Sequence, residues 1–223
     1  MFILYINDIA KDTTSNIRLF ADDCLLYRVI RCDMNTQELQ RDLTQLCHWA
    51  TKWQMSFNAD KCSLLRITNK KTIVSGQYTI HGKALKEVDH HPYLGLELDS
   101  KLDFNTHTKQ TVSKAQRNLN LLRRNLHGCS QATKELGYKA LVRPILEYTS
   151  SVWDPYTGKQ MNQLGAVQAK GARFVTGQHS RRTSVTGLLQ TLQWRSLQER
   201  RLVARLTMFY KAVEGTENCL PHS

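Results

Sequence analysis

The spacing of apolar residues along the chain changes from a mixture of strand-like and helical periods to a helical period alone. In the stretch IRLF, Ile17 and Leu19 alternate with other residues and share one strand face. A second apolar run follows at once, so we predict a β-hairpin over Ile17–Tyr27. Its turn contains three residues with small or short side chains, Ala21, Asp22 and Asp23.

A helix is predicted after this hairpin. The apolar residues of NTQELQRDLTQLCHWATKW recur at intervals of four, three, four and three, which places them on one helical face. These residues are Leu39, Leu43, Leu46, Ala50 and Trp53. Asn35, with Glu38 three residues later, predicts the N-terminal cap.

Short strands are predicted up to about residue 104. One strand is expected near Ser63–Thr68, and QYTIHGKALKEV indicates a hairpin that turns at His81 and Gly82. The stretch HPYLGLELD is predicted as a further strand, with Gly95 where backbone or a ligand approaches closely.

Four helices are predicted after residue 104. The first has an apolar face of Val112, Ala115, Leu119, Leu122 and Leu126, and Gly128 predicts its end. The second is KELGYKALVRPILEY, with a kink expected at Pro144. The third and fourth are MNQLGAVQAKGARFV and SLQERRLVARLTMFYKAV. In the third we expect close packing at its small residues, Gly165, Ala169 and Gly171.

These patterns predict an α+β fold with two parts. Residues 1–104 combine antiparallel strands with a helix, and residues 105–223 form an all-helical region. Charge divides in nearly the same way, because residues 1–100 hold 12 basic and 12 acidic residues and residues 101–223 hold 19 and 7. The excess of +12 in the second part favours a polyanion partner, nucleic acid before membrane. The alternative is a basic surface that serves solubility alone.

Cysteine usage and hydropathy narrow the class of protein further. The six cysteines include no C-x-x-C pair, and Cys47-His48 and His90-His91 are isolated, so metal binding there is weakly indicated. No secretory signal and no membrane span are visible. We therefore expect an intracellular protein, nuclear or cytoplasmic, with reduced thiols and no membrane partner.

The adjacent carboxylates of Asp22 and Asp23 have two interpretations. Aspartate is common in turns because its side chain bonds nearby backbone amides, so the pair is explained by a turn alone. Mg²⁺ also binds one or two carboxylates together with phosphate oxygens, so a metal site at the hairpin tip is the second interpretation. The pair by itself does not decide between a turn and a metal site.

Several motifs in order resemble the reverse transcriptases of LINE-type, Jockey-like non-LTR retrotransposons. FADD (Phe20–Asp23) is similar to the aromatic-x-Asp-Asp motif of the palm, and MSFNADKC (Met55–Cys62) to the next motif. YLGLELD (Tyr93–Asp99) resembles the primer-grip turn, and FILYINDI (Phe2–Ile9) the end of an earlier palm motif. LVRPILEYTSSVWDPY, VQAKGARFV and LQTLQWRSLQERR resemble the tail that follows.

The resemblance implies a partial palm in residues 1–104 and a thumb-like and C-terminal region in residues 105–223. Asp22 and Asp23 would help to hold two Mg²⁺ ions, and Lys61 would protonate the leaving pyrophosphate. The implied partners are an RNA template and a DNA primer, with no cofactor beyond nucleotides and the metal. Tyr93, Leu94 and Gly95 would position the primer end. Thumb cations would follow the duplex backbone, namely Lys109, Lys114, Arg117, Arg123 and Arg124.

Each of these residues also has a structural interpretation. Lys61 is equally explained as a surface lysine that follows a turn. The residues around Gly95 are explained as a strand of the core, and the cations are explained as the solvated face of a helix. The resemblance places a third aspartate, the fingers and a nucleotide-seating motif upstream of Met1–Ile9, so we expect this chain alone not to polymerise DNA. The alternatives are a non-catalytic nucleic-acid-binding remnant that uses the basic half, and an unrelated structural protein.

Overall fold

The computed structural model describes Ile6, residues 8–180 and residues 182–215. The chain forms two compact units. The first unit comprises the residues up to His91 together with Asp99–Leu102, and the second comprises Pro92–Leu98 together with the residues from Asp103 onward. The motif resemblance over Phe2–Ile9 lies largely outside the described residues.

The first unit contains one long helix and small strand pairs. Its first hairpin consists of β1 (Asn16–Phe20) and β2 (Asp23–Tyr27), followed by helix α1 (Asp33–Lys52). Four short strands follow: β3 (Ser63–Leu65), β4 (Thr79–Ile80), β5 (Lys83–Ala84) and β6 (Lys86–Val88). The hairpin predicted at His81 and Gly82 is confirmed, because β4 pairs antiparallel with β5 around that turn.

The helical face predicted for α1 forms the core of the first unit. Leu39, Leu43, Leu46 and Ala50 are buried. Tyr78 packs against this face, with partly buried residues from the strands and loops around it. The predicted cap at Asn35 is wrong, because α1 begins two residues earlier at Asp33. The Asn35 side chain instead accepts a hydrogen bond from the Arg31 backbone N–H (3.1 Å).

The antiparallel pairing expected for the strands of residues 1–104 is confirmed for β1 with β2 and for β4 with β5, but one further pair departs from it. β3 pairs with β6 in parallel, in the register Ser63 to Lys86 and Leu65 to Val88. The strand predicted over Ser63–Thr68 ends at Leu65. The parallel pairing joins segments about twenty residues apart, and a local pattern carries no information about such a partner.

The stretch HPYLGLELD forms a hairpin rather than one strand. β7 (His90–Tyr93) and β8 (Leu96–Asp99) pair around a two-residue turn at Leu94 and Gly95. Both turn residues have positive φ, 47° and 77°. Positive φ at both central positions is the geometry of a type I′ hairpin turn.

The second unit is built from seven helices in the part of the chain that the structure describes. They are α2 (Asn105–Asn125), α3 (Gln131–Leu141), α4 (Arg143–Glu147), α5 (Ser150–Trp153), α6 (Gly158–Thr176), α7 (Val185–Thr191) and α8 (Leu197–Glu214). α6 packs against α2, α3, α7 and α8, so it lies at the centre of the unit.

The core of the second unit is organised around an aromatic pair. The ring of Tyr138 on α3 stacks on Trp194 with the ring centroids 4.6 Å apart. A Cβ added at Gly171 on α6 would lie 2.3 Å from the Tyr138 ring, so only glycine fits there. The close packing predicted at Gly171 is therefore confirmed, whereas a Cβ at Gly165 meets nothing within 4 Å and that prediction is wrong.

Two helix ends differ from prediction. α2 ends at Asn125 with Leu126 as its C-cap, so Gly128 is not the terminating residue. Pro144 breaks the predicted second helix into α3 and α4 instead of kinking it, and it lies in the first turn of α4. Proline is accommodated in a first turn because the N–H it lacks has no helical acceptor there.

The last helix is held in the unit by a buried ion pair. The side chain of Arg201 on α8 is 2% exposed, and its Nε donates to Asp154 Oδ1 at 2.7 Å. Ser196 begins α8 with a reciprocal capping box to Glu199. Within the described ranges, no helix is both long enough and apolar enough to cross a membrane.

Candidate functional site

The adjacent carboxylates lie at the tip of the first hairpin. Ala21 and Asp22 form its turn, and Asp23 is the first residue of β2. Phe20 pairs with Asp23, and residues paired across two strands lie on the same face. The Phe20 side chain is 63% exposed and both carboxylates are exposed, so this face of the hairpin tip is open to solvent.

A buried carboxylate anchors the chain just before this hairpin. Asp42 on α1 accepts hydrogen bonds from the backbone N–H groups of Thr14 (3.0 Å) and Ser15 (2.8 Å). Burial acts to raise the pKa of Asp42, but the hydrogen bonds from Ser15 and Thr14 outweigh it and hold that pKa below the ordinary value. Asp42 is therefore an ionised structural group that fixes the base of the hairpin on α1.

Lys61 is exposed and follows a turn in which its backbone N–H donates to the Asn58 carbonyl oxygen (3.0 Å). Burial, and after it the neighbouring thiol of Cys62, raise the pKa of Cys24 to about 11. Such coupling between charges weakens with distance, so the thiol next to Asp23 lies near the thiol next to Lys61.

The donor set at the hairpin tip is small. Among the described residues, no group of three or more His, Cys, Asp or Glu side chains is placed to hold a metal ion. Two exposed carboxylates fit a share in one Mg²⁺ site completed by phosphate and water oxygens. They do not fit an enclosed site for two ions by themselves.

In each of the pairs Cys47-His48 and His90-His91, one residue makes a hydrogen bond within the first unit. The Cys47 sulfur accepts a hydrogen bond from the His81 backbone N–H (3.4 Å). His91 Nδ1 is 2.8 Å from the Ser63 hydroxyl oxygen. These contacts explain one member of each pair as part of the fold of the first unit.

Tyr148 holds the predicted primer-grip turn in the second unit. Its hydroxyl donates to the Leu94 carbonyl oxygen at 3.0 Å. A Cβ added at Gly95 would lie 3.1 Å from Tyr148 Cε1, so the ring covers the glycine closely. The positive φ values of Leu94 and Gly95 are therefore stabilised by a residue some fifty positions later in the chain.

His107 on α2 fixes the strand that follows this turn. Its Nδ1 accepts the backbone N–H of Glu97 on β8 (3.2 Å), and its Nε2 is 3.3 Å from the Thr111 hydroxyl. The imidazole also packs edge-on against Trp153, with the ring centroids 4.9 Å apart. Burial lowers the pKa of His107, although nearby Glu97 acts to raise it, so the neutral ring is favoured.

A groove of about 910 Å³ lies beside the turn, and we call it the basic groove. Its walls come from the turn, from α2 and from the start and end of α4. The lining residues are Gly95, His107, Lys109, Gln110, Thr111, Ser113, Lys114, Arg117, Pro144, Ile145 and Tyr148. Three cations and one exposed aromatic ring therefore face the same space.

The structure brings some of the predicted nucleic-acid-binding residues together and leaves others apart. Lys109, Lys114 and Arg117 line the basic groove with Gly95, and all three cations are exposed. Arg123 and Arg124 are exposed near the end of α2 but do not line the groove. The nucleic-acid-binding role of all five cations stays a prediction, as do the roles predicted for the catalytic and primer-grip residues. These are Asp22, Asp23, Lys61, Tyr93, Leu94 and Gly95.

Sequence reasoning missed Tyr148 and His107. Tyr148 lies within the stretch LVRPILEYTSSVWDPY, but neither residue was assigned a role there, because each acts on the turn or on β8 from an element distant along the chain. Gly95 carried the one available signal: a glycine in a tight turn indicates close approach by another group. The sequence does not identify that group.

Comparison with known proteins identifies relatives from mobile elements. The chain is 30% identical over 165 residues to an RNA-directed DNA polymerase from mobile element jockey of Drosophila funebris. It is 28% identical over 165 residues to the probable RNA-directed DNA polymerase from transposon BS of Drosophila melanogaster. The corresponding X-element protein of that species is 25% identical over 187 residues.

The matched region is most of this chain and a small part of each relative. It covers 72% of the chain and 18% of the jockey protein, and 79% of the chain and 20% of the X-element protein. The chain thus spans about a fifth of the length of these relatives. No protein-family model and no solved structure matches it.

Proposed function

The chain belongs to the family of reverse transcriptases encoded by Jockey-like non-LTR retrotransposons, and on this premise we propose that it is a primer–template-holding segment of such a polymerase. The second unit corresponds in this proposal to a thumb-like region, and the first unit to part of the palm. The partners are an RNA template and a DNA primer.

The basic groove is the observation that carries the proposal. Lys109, Lys114 and Arg117 line it beside the turn at Gly95. On an α-helix these three residues fall within an arc of about 140°, and α2 buries Ala115, Leu119 and Leu122 on its other side. A row of cations along one helix face is suited to the regularly spaced phosphates of a duplex, whose contacts supply most sequence-independent affinity.

The exposed tip of the first hairpin supports a role at the reaction centre of the complete polymerase. Asp22 and Asp23 would hold Mg²⁺, which when bound activates the primer hydroxyl and neutralises the leaving pyrophosphate. Lys61 would donate a proton to that pyrophosphate as a general acid. The exposure of all three side chains is suited to contact with a substrate that approaches from solvent.

We expect no polymerase activity from the 223-residue chain by itself, because Asp22 and Asp23 supply too few oxygens for two metal ions. Primer extension on an RNA template with Mg²⁺ or Mn²⁺ and nucleotides measures this. Template-dependent extension that Asp22→Asn abolishes would contradict the expectation.

A non-catalytic nucleic-acid-binding role is the second candidate function. The observation that favours it is the charge distribution, since the excess of +12 lies entirely in residues 101–223. Both candidates use the basic groove. They differ in the role of the hairpin tip, which binds metal only in the first candidate. Asp22→Ala should therefore alter the effect of Mg²⁺ on substrate binding only if the tip forms part of a metal site.

Salt-dependent binding tests the role of the groove. Fluorescence anisotropy with a labelled RNA–DNA duplex gives the slope of log affinity against log salt concentration. A variant with Lys109, Lys114 and Arg117 changed to glutamine is expected to reduce that slope by about 2–3, at roughly 0.9 per lost phosphate contact.

A matched control separates position from total charge. Lys70, Lys71 and Lys86 are exposed lysines of the first unit, and their change to glutamine removes the same charge. This control is expected to retain most of the wild-type slope. Equal losses in the two triple variants would overturn the assignment of binding to the groove.

A further inference from the structure

Helix α8 is apolar on the side that faces away from the second unit. It packs against α4, α5 and α6 through the side that carries Leu197 and Arg201. Six large apolar side chains lie on the other side, at 45–69% exposure. They are Leu202, Val203, Leu206, Phe209, Tyr210 and Val213, and we call this surface the α8 face.

The spacing of these residues identifies the kind of partner. Leu202, Leu206, Phe209 and Val213 follow one another at intervals of four, three and four. Residues at intervals of four and three form the contact seam between helices that pack knobs into holes. We therefore expect the partner surface to be another helix. A contiguous exposed apolar surface on a folded protein typically marks a site where a partner binds.

From this face we infer that α8 pairs with α8 of a second copy of the chain, antiparallel, as the core of a symmetric dimer. The spacing four, three, four reads the same in both directions, with its centre midway between positions 207 and 208. Around that centre Leu202 meets Val213 of the other copy, and Leu206 meets Phe209 of the other copy. A two-fold interface requires this self-complementarity.

The exposed area indicates the strength of the pair. The six exposures correspond to an area on the order of 600 Å² per copy, or roughly 1,200 Å² for the pair, the lower limit for specific interfaces. Each copy also carries a net charge of +12, so the copies repel one another at low ionic strength. The dimer is therefore a weak one that added salt strengthens, whereas salt weakens nucleic-acid binding.

Analytical ultracentrifugation of the full chain, free of nucleic acid, tests the pairing. Between about 1 and 100 μM protein we expect a monomer–dimer equilibrium with a Kd in the micromolar range, stronger at 0.5 M than at 0.15 M salt. Leu206→Glu is expected to raise Kd at least tenfold. Leu136 on α3 is 69% exposed, the same as Phe209, so Leu136→Glu is the matched control and should leave Kd unchanged.

Single-cysteine variants test the orientation. Across the two-fold axis, two copies of position 206 are about 4.5 Å apart along the helix axes, and two copies of position 202 about 16 Å apart. Leu206→Cys should therefore increase disulfide-linked dimer over the parent chain under the same oxidant, and Leu202→Cys should not.

Three results would overturn the proposal. A wild-type chain that stays monomeric at 100 μM excludes a second copy as the partner of the α8 face. Equal effects of Leu206→Glu and Leu136→Glu show that the dimer uses another surface. Equal crosslinking at positions 202 and 206 shows a parallel pair.

Discussion

At the scale of single residues, the turn at Leu94 and Gly95 depends on one distant hydroxyl. Tyr148 donates to the Leu94 carbonyl oxygen and also lines the basic groove. This contact keeps the groove wall in place, which is distinct from the phosphate-binding role proposed for the lysines and the arginine. The two roles predict different responses to salt.

Tyr148→Phe tests this positioning role. Removal of one hydrogen bond is expected to lower the free energy of unfolding by about 1 kcal/mol. We expect weaker binding of an RNA–DNA duplex with an unchanged salt slope, because no cation is lost. Tyr156→Phe is the control, since Tyr156 is 75% exposed. A reduced salt slope in Tyr148→Phe would contradict the positioning role.

Two glycines with similar backbone geometry allow the cost of backbone strain to be distinguished from the cost of a steric contact. Gly95 has φ of 77° and Gly82 has φ of 73°. A Cβ at Gly95 meets the Tyr148 ring at 3.1 Å, whereas one at Gly82 meets nothing within 4 Å.

Gly82→Ala is therefore expected to cost about 1 kcal/mol, which is the penalty of positive φ for a residue with a Cβ. Gly95→Ala should cost more, because the methyl group also displaces the tyrosine ring. Chemical denaturation measures both. Equal losses of unfolding free energy in the two variants would mean that the Tyr148 ring moves aside at no cost. The turn would then not be held by Tyr148.

At the scale of elements, His107 joins β8 to α2 only while its ring is neutral. Nδ1 accepts the Glu97 N–H, and a protonated ring has no lone pair for that bond. Burial lowers the pKa of His107 below 6.5, its ordinary value. The histidine therefore contributes stability above pH 6.5 that is lost as pH falls through the lower pKa of the folded state.

Unfolding in urea between pH 7.5 and 5 measures this dependence. Wild type is expected to lose stability across the range, and His107→Gln, which keeps an acceptor but does not titrate, should lose less. His127→Gln changes an exposed histidine of the same unit and should retain the wild-type slope. A wild-type slope in His107→Gln would contradict the assigned role.

The elements that sequence predicts well are those with a local cause. The face of α1 at Leu39, Leu43 and Leu46 and the turn at His81 and Gly82 follow from period and turn chemistry within a few residues. The parallel pairing of β3 with β6 does not, because it depends on which distant strand is available. The start of α1 at Asp33 also differs, since the Asn35 side chain bonds back to Arg31 instead of capping the helix.

The same distinction applies to the candidate site. The turns that contain Asp22, Asp23 and Gly95 can be predicted from the residues within them. The cations of α2 can be identified from their charge. Tyr148 and His107 act across some fifty and ten residues respectively, so no local pattern indicates their partners. The α8 face was missed for another reason, because a helical period shows where apolar residues lie but not which of them the fold covers.

At the scale of the whole molecule, charge and chemistry lie in different parts of the chain. The first unit carries the adjacent carboxylates and a net charge of only +2, and the second unit carries the basic groove and a net charge of +10. The proposed separation of a catalytic part from a part that holds nucleic acid accounts for this distribution. We therefore expect the second unit to bind the duplex through the basic groove.

Binding of the duplex to this groove can be tested by crosslinking the chain to a labelled RNA–DNA primer–template, followed by mass spectrometry of the attached peptides. Crosslinks are expected to be concentrated on the segment from Lys109 to Arg117 and on Tyr148, and to be lost when Lys109, Lys114 and Arg117 are changed to glutamine. Crosslinks concentrated on the lysines of the first unit, such as Lys70 and Lys71, or spread evenly over exposed lysines, would contradict it.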